Sequence, residues 1–400
     1  MRPWSSFDVV FWLMLALLEV GAQIGPFGAL YFAFGIIPYL FVSVPWNLFL
    51  NFKVRTWDRR SGYSRLATPF EFAATIFAKS LLENFNLHEL GPALFGQTTA
   101  EALFDYRQSM FTREGLGDIE HYALDPDQNL PGFWVESRKT PVDLENDVII
   151  YYVVGPGVGG ESAHWSLEFF YYFLVSLNQQ GFCNPAIFVA DVSKAKDWQE
   201  AMSTVIDTYE TVAAVNCKTL VLSGHAGGAT LGLSLLLHLA QPFDGLRQLN
   251  APSRRPDAAV LMSPIMDLNR RRVSSKDNID YLSTRALARY AKSYVPKRLQ
   301  SADYTRPGLV NDLDLWSRAL PNRGIFISAG SEEVLLPEVK EFAFHLQNSH
   351  KVALEIETAQ LHAWPLWLVN TARTRLEQTA GVGRLGCQIS QMILWDAARN

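Results

Sequence analysis

The chain predicts an α/β protein with an open, mainly parallel central sheet flanked by helices, and three observations carry that class. From about residue 146 onward, short β-branched apolar runs alternate with stretches of helical period, the pattern of β-α-β crossovers. The run "DVIIYYVVG" (147–155) is continuously apolar, as a strand must be when helices cover both faces of its sheet. With 400 residues, 48% of them hydrophobic, the sequence can also bury a large core. It carries no internal repeat and no low-complexity tract.

Residues 1–60 form a hydrophobic region. "VVFWLMLALL" (9–18) precedes Glu19, and from Val20 to Phe52 there is no Asp, Glu, Lys or Arg. That length exceeds the roughly 20 apolar residues needed to cross a bilayer as a helix, so a membrane segment is expected. Pro26, Pro38 and Pro45 oppose one straight rod and favour a helical pair or a broken helix. A cleaved signal peptide and an apolar flap facing the substrate are the alternatives. A signal peptide ends after one short apolar run, whereas here the apolar sequence continues. Lys53, Arg55, Arg59 and Arg60 follow directly, which favours a cytosolic main domain if there is a single span.

Residues 61–125 read mainly as helices. "TPFEFAATIFAKSLLENF" (68–85) has Thr68 as a cap, Pro69 at the first helical position and apolar residues at helical spacing. "TTAEALFDYRQSMF" (98–111) begins in the same style, with Thr98 or Thr99 capping. "HYAL" (121–124) and "GFWVES" (132–137) then read as short strands. After "DVIIYYVVG" come strand-like "PAIFVADV", "CKTLVLSG", "DAAVLMSP", "RGIFISAG" and "VALEIETA", separated by helical stretches, with a last helix in "LGCQISQMILWDAA". Active groups in such sheets sit where strands end and loops begin.

The formal charge of −5, without a long Lys/Arg run, leaves no electrostatic footprint for nucleic acid. Cys183, Cys217 and Cys387 are widely spaced and form no C-x-x-C pair, so neither a disulfide framework nor a zinc site is indicated. "PSRRP" and "LNRRRV" hold too few charges to mark a headgroup-binding patch over a solvated loop.

"TLVLSGHAGGATLGLSLLLHL" (219–239) is strand, sharp turn, helix. This is the context of a nucleophile elbow, G-x-S-x-G, in which a strained turn lifts a hydroxyl above the sheet. Here the five positions are Gly224, His225, Ala226, Gly227 and Gly228, with alanine at the apex.

On these residues, and on others that follow in order, the chain resembles the hormone-sensitive-lipase-like branch of the α/β-hydrolase superfamily, and within it the membrane-anchored steryl acetyl hydrolases of fungi. The likeness runs from about Val148 to Trp367. "YYVVGPGVGGES" looks like the oxyanion loop usually written H-G-G-G-F. "DWQEAM" matches the segment before the elbow strand. "LMSPIMDL" with "SSKDNIDYLSTRALARYAKSY" looks like that branch's strand end and cap insertion. "SAGSEEVLLPEVKEFA" matches the loop carrying the acid, and "QLHAWPLW" the loop carrying the histidine. The resemblance implies an α/β-hydrolase fold at 126–400, a helical cap from 61–125 and an insertion at about 267–318, and a membrane anchor in 1–60. It also implies a membrane location, that of the endoplasmic reticulum.

Carried over by position, Ala226 takes the nucleophile site, Glu333 the acid site and His362 the base site, with Gly155, Gly157 and Gly227 forming the oxyanion hole. Glu332, Glu338, Asp312 and Asp314 are neighbouring alternatives for the acid. Without the ordered context, His362 would read as a packed histidine beside Trp364 and Glu333 as a solvated loop carboxylate. His225 and His164 have weaker claims, and Ser223, at the end of the strand, reads as packed.

Two departures matter. Alanine has no heteroatom to attack a carbonyl, so an acyl-enzyme cannot form at Ala226. Pro156 falls on a glycine of the oxyanion loop and has no N–H to donate, and one lost donor costs about 10²–10³ in rate. A register shift to Gly159 and Gly160 softens that point. A serine exchanged to trap a substrate would explain Ala226 alone; two separate defects fit natural divergence better. The expectation is a membrane-associated protein acting on an apolar small molecule (a sterol, terpenoid or polyketide-derived intermediate) in a non-hydrolytic cyclisation or condensation of secondary metabolism. An ester hydrolase of lipophilic acetates whose serine was replaced, and a binding protein without chemistry, are the alternatives. No cofactor and no metal are expected.

Overall fold

The computed structural model describes residues 3–85, 87–110, 119–123, 130–137, 145–156, 162–249, 254–268, 279–300, 302–346 and 351–397. Two N-terminal helices, α1 (Ser6–Ile24) and α2 (Pro26–Pro38), are separated by Gly25, whose φ of 90° ends the first. Helical structure continues from Pro26 to Val54. It does so through α3 (Val44–Phe49) and two π-helical turns, Tyr39–Ser43 and Leu50–Val54. The prolines therefore do not break this helix. The wider turn lets the Val44 N–H reach the Tyr39 carbonyl, five residues back, just ahead of Pro45. By length and composition, Phe7–Ile24 and Pro26–Val54 are both apolar enough to cross a membrane.

Four helices follow: α4 (Gly62–Leu66), α5 (Pro69–Asn84), α6 (Leu87–Phe95) and α7 (Gln97–Met110). The cap of α5 is reciprocal. Thr68 Oγ1 accepts from Glu71 N at 3.2 Å, and Glu71 Oε2 accepts from Thr68 N at 2.6 Å. Helix α7 starts ahead of both Thr98 and Thr99, so neither caps it. The Thr99 hydroxyl instead donates to the Ala93 carbonyl at 2.8 Å.

Among the described residues the sheet has eight strands: β1 (Ile119–Ala123), β2 (Gly132–Ser137), β3 (Asn146–Val154), β4 (Pro185–Asp191), β5 (Cys217–His225), β6 (Ala258–Met262), β7 (Ile325–Gly330) and β8 (Val352–Glu357). Their spatial order is β1-β2-β4-β3-β5-β6-β7-β8. The β1–β2 and β2–β4 pairs are antiparallel, and the others are parallel. Around the sheet lie α8 (Leu167–Gln179), α9 (Trp198–Ala213), α10 (Ala226–Ala240), α11 (Thr284–Tyr294), α12 (Leu313–Ala319), α13 (Leu336–His345), α14 (Trp364–Thr371) and α15 (Arg375–Ala397).

Strand β3 explains its own sequence. Ile149, Tyr151 and Val153 join a core with α9 and α10, while Val148, Ile150, Tyr152 and Val154 join a second core with α8 and α15. Both faces are dry, so an alternating polar pattern would be unstable there. The parallel register aligns Val154 of β3 with His225 of β5, which brings the two loops after these strands to the same edge. The arginines of "PSRRP" bond to the protein at its surface: half-buried Arg254 pairs with Asp257 at 2.9 Å, and exposed Arg255 donates to the Leu239 carbonyl at 3.0 Å.

Candidate active site

The turn from β5 into α10 has Ala226 at its apex with φ 47°, the left-handed region. A residue with a Cβ is held there at a cost of about 1–2 kcal/mol, so the surrounding packing must fix it. Two glycines do that. A Cβ on Gly224 would lie 2.9 Å from the Val153 carbonyl oxygen, and one on Gly228 would lie 2.0 Å from the same atom. Only glycine lets α10 approach β3 this closely, which is the physical content of the G-x-A-x-G spacing.

Gly155 lies against the elbow; a Cβ on it would meet the Gly228 nitrogen at 2.5 Å. Gly155, Pro156, Ala226, Gly227 and His362 all line one cavity of about 340 Å³. Gly157, the third residue assigned to the oxyanion hole, lies outside the described residues, as do Gly159 and Gly160. Pro156 lines the cavity beside Gly155 and has no N–H to contribute.

Glu333 follows β7 and His362 follows β8, and each is only 3% exposed. Glu333 Oε2 lies 3.5 Å from His362 Nδ1. That is an ion-pair approach, longer than a formed hydrogen bond. Neither carboxyl oxygen nor Nδ1 has a hydrogen-bond partner among the described residues, so two buried polar groups face each other. The alternative acids are engaged elsewhere or exposed. Glu332 Oε1 accepts from Gly62 N at 2.9 Å, Asp312 caps α12 through Leu315 N at 2.9 Å, and Asp314 is exposed. Glu338 sits a turn further on, in α13.

Of the other polar candidates, Ser223 and His164 are held by structural contacts, while His225 also lines the cavity. Ser223 Oγ donates to the Val260 carbonyl at 2.8 Å inside the sheet. His164 lies 3.4 Å from Glu101 and packs on Phe133. His225 Nδ1 is 2.9 Å from Tyr152 Oη, and burial, with His362 nearby, pushes its pKa down to about 4, so the ring is neutral near pH 7.

Sequence reasoning missed Asp280 and Tyr281. Asp280 is fully buried; its carboxyl accepts from His362 N at 3.3 Å and from Val334 N at 3.0 Å, tying the loops after β8 and β7 together. Tyr281 Oη donates to the His362 carbonyl at 2.9 Å. One dipeptide thus holds both backbone groups of the histidine. Ser263 Oγ, after β6, accepts from Ala363 N at 2.9 Å and fixes the next residue. Burial raises the Asp280 carboxyl to about 6, with the His362 ring opposing the shift. The available signal was an aspartate flanked by Ile279, Tyr281 and Leu282, a charge in an apolar setting.

Chemically, a carboxyl facing Nδ1 orients an imidazole and leaves Nε2 to exchange a proton with a bound molecule. With a methyl at the elbow apex, no covalent acyl intermediate forms there.

The fold is that of solved hormone-sensitive-lipase-type proteins. A hormone-sensitive lipase from a metagenome library superposes with a TM-score of 0.59 at 18% identity, over 81% of this chain and 98% of that one. An esterase of the bacterial hormone-sensitive lipase family gives 0.58 at 15% identity, over 82% and 100%. In sequence, an esterase of Acinetobacter venetianus is 31% identical over 150 residues, 36% of this chain; the match spans 45% of that esterase's length. The model of the steryl acetyl hydrolase family matches residues 120–364, more than half of the chain and the whole stretch from β2 to His362. The chain therefore belongs to the steryl acetyl hydrolase family.

Proposed function

We propose that the protein binds an apolar small molecule in the cavity beside Ala226 and promotes a non-hydrolytic step on it, a cyclisation or condensation in the biosynthesis of a lipophilic secondary metabolite. One observation carries this reading. A methyl stands at the apex of an elbow whose backbone, cavity and imidazole–carboxyl pair are otherwise intact. His362, oriented by Glu333, moves the proton, and the apolar walls hold a flexible ligand in a reactive shape. Gly155 and Gly227 supply the backbone groups nearest the apex for a ligand carbonyl, with Pro156 contributing no donor. Helices at 61–125 and the segment at about 267–318 act as the cap that selects the ligand; Phe70 and Phe77 of α5 and Leu282 are among the cavity walls. Association with a membrane, that of the endoplasmic reticulum, belongs to the same reading and draws support from the two apolar N-terminal helices.

The test compares metabolite extracts of cells with the gene, without it, and with His362→Ala. The same apolar precursor should accumulate in both defective strains. Full product formation by His362→Ala sinks the reading and leaves a binding protein without chemistry.

A second reading is an ester hydrolase whose serine has been replaced. It is favoured by the φ of 47° at residue 226, a strained geometry that presents a nucleophile and that a methyl does not need. Ala226→Ser separates the two. Turnover of a short-chain aryl ester that disappears on adding His362→Ala supports the second reading; a silent Ala226→Ser protein supports the first.

A further inference from the structure

We infer that α1 and the continuous helix Pro26–Val54 form a lipid-facing wall of the cavity, lying in one leaflet without crossing the bilayer, and that the ligand reaches Ala226 and His362 from the lipid phase. The inference rests on the reading above that the ligand is apolar.

Helix α1 is docked along one face. Asp8, Trp12, Ala16 and Val20, spaced by four, are at most 5% exposed. They pack towards α6 and α7, where Trp12 Nε1 donates to the Leu94 carbonyl at 3.0 Å. At its start, Asp8 lies 3.0 Å from Arg107 of α7, which also grips Glu168 of α8 through two contacts of 3.1 Å. Helix α2 docks in the same way, with buried Phe32 against Phe85 at the end of α5. Helix α7 carries Glu101 and the exposed Asp105 on its other side. A bilayer that surrounded α1 would have to take up these carboxylates too, at about 2.5 kcal/mol or more for one at its centre. Lipid therefore meets only the outer face.

That outer face has one fitting occupant. Phe7, Met14 and Leu18 of α1, and Phe27, Phe34 and Phe41 beyond it, are 57–85% exposed. Such a patch is too large and too apolar for water. Where it ends, exposed Lys53, Arg55 and Arg59 stand beside exposed Trp46 and Trp57. Cations and indoles at the edge of an apolar face match lipid headgroups and the interfacial layer. The same cavity that holds the elbow and His362 is lined by Trp4 just ahead of α1, by Val9 and Trp12 of α1, and by Leu40 and Val44 of the helix Pro26–Val54. One helix pair thus has hydrocarbon on its outside and the ligand space on its inside.

The experiment uses the full chain in sealed microsomes, with Cys183→Ser and Cys387→Ser as background and single cysteines replacing Pro3 or Gln23, at the two ends of α1 and off its lipid-facing stripe. An impermeant maleimide should reach both ends under the same condition, either before or only after permeabilisation. One end reacting before and the other only after means that α1 crosses the bilayer, and overturns the inference. The second arm dissolves a diazirine-bearing long-chain alcohol in the membrane and maps its crosslinks. Leu81, buried and lining the cavity, should be labelled. Val44→Trp, which fills the cavity from the wall, should reduce that label roughly tenfold, and Leu18→Trp on the outer face should leave it unchanged. Absence of label at Leu81 overturns entry from lipid. Neither arm needs turnover, so failure of the proposed reaction and failure of this inference are read separately.

Discussion

Two apolar helices contribute to the cavity, and they meet opposite fates. Every residue of α10 from Gly227 to His238 is buried, whereas α1 hides a single stripe and exposes Phe7, Val10, Met14 and Leu18. The sequence describes both as long apolar runs. What separates them is the neighbour. Helix α10 sits over the centre of the sheet, where glycines allow backbone-to-backbone contact, while α1 has protein on one side only. Apolar composition decides that a helix leaves water; it does not decide which apolar phase receives it.

The largest expected effect tests the tight side of that comparison. Gly228→Ala places a Cβ 2.0 Å from a backbone oxygen that no side-chain rotation can relieve. We expect more than about 4 kcal/mol of destabilisation, or no folded protein, in urea unfolding; a mild effect would mean that α10 does not depend on close approach. Next, Arg107→Met leaves Asp8 and Glu168 buried without their cation and should cost about 3–5 kcal/mol. It should also open α1 to limited proteolysis. A loss below about 1 kcal/mol would assign the docking of α1 to apolar packing alone.

The third prediction concerns pH and the loops beside the elbow. The Asp280 carboxyl is raised from 3.8 to about 6, so the folded state holds this proton more tightly than the unfolded chain, and the group's contribution to stability falls as pH rises through about 4–6. His225 is lowered from 6.5 to about 4, so its contribution is lost as pH falls through the same window. The two slopes oppose. Asp280→Asn removes the first alone, so the variant should lose stability more steeply than the parent on acidification from pH 6.5 to 4. Parallel curves for the two proteins count against the assignment. The smallest effect lies on the loose side. Gly21→Ala in α1 puts its Cβ 3.8 Å from Ala29, an ordinary contact, and should stabilise by about 0.5–1 kcal/mol through helix propensity. The same substitution thus changes sign between α10 and α1.

Much of the sheet was legible because strands covered on both faces need largely apolar runs, and β3 to β7 have them. The elbow was legible because its glycines are a local steric requirement. The start of α7 was misread: Thr98 and Thr99 have the chemistry of caps, but Thr99 finds a carbonyl in the preceding helix. Asp280 escaped notice because its partners are 54 and 82 residues away, and no local pattern marks a carboxyl that joins two distant loops. Position along the resemblance selects Glu333 over Glu332; coordinates add that one loop turn sends the adjacent carboxylates to His362 and to Gly62.

The sequence by itself determined the α/β class, the family likeness, the apolar N-terminus and the absence of a hydroxyl at residue 226, because each is written in side-chain type and short-range spacing. Tertiary structure alone decided that the N-terminal helices wall the cavity, that Asp280 and Tyr281 clamp the histidine loop, and that Arg107 ties α1 to α8. Those facts depend on which surfaces meet after the chain has closed over long separations, and no local preference encodes a meeting of that kind.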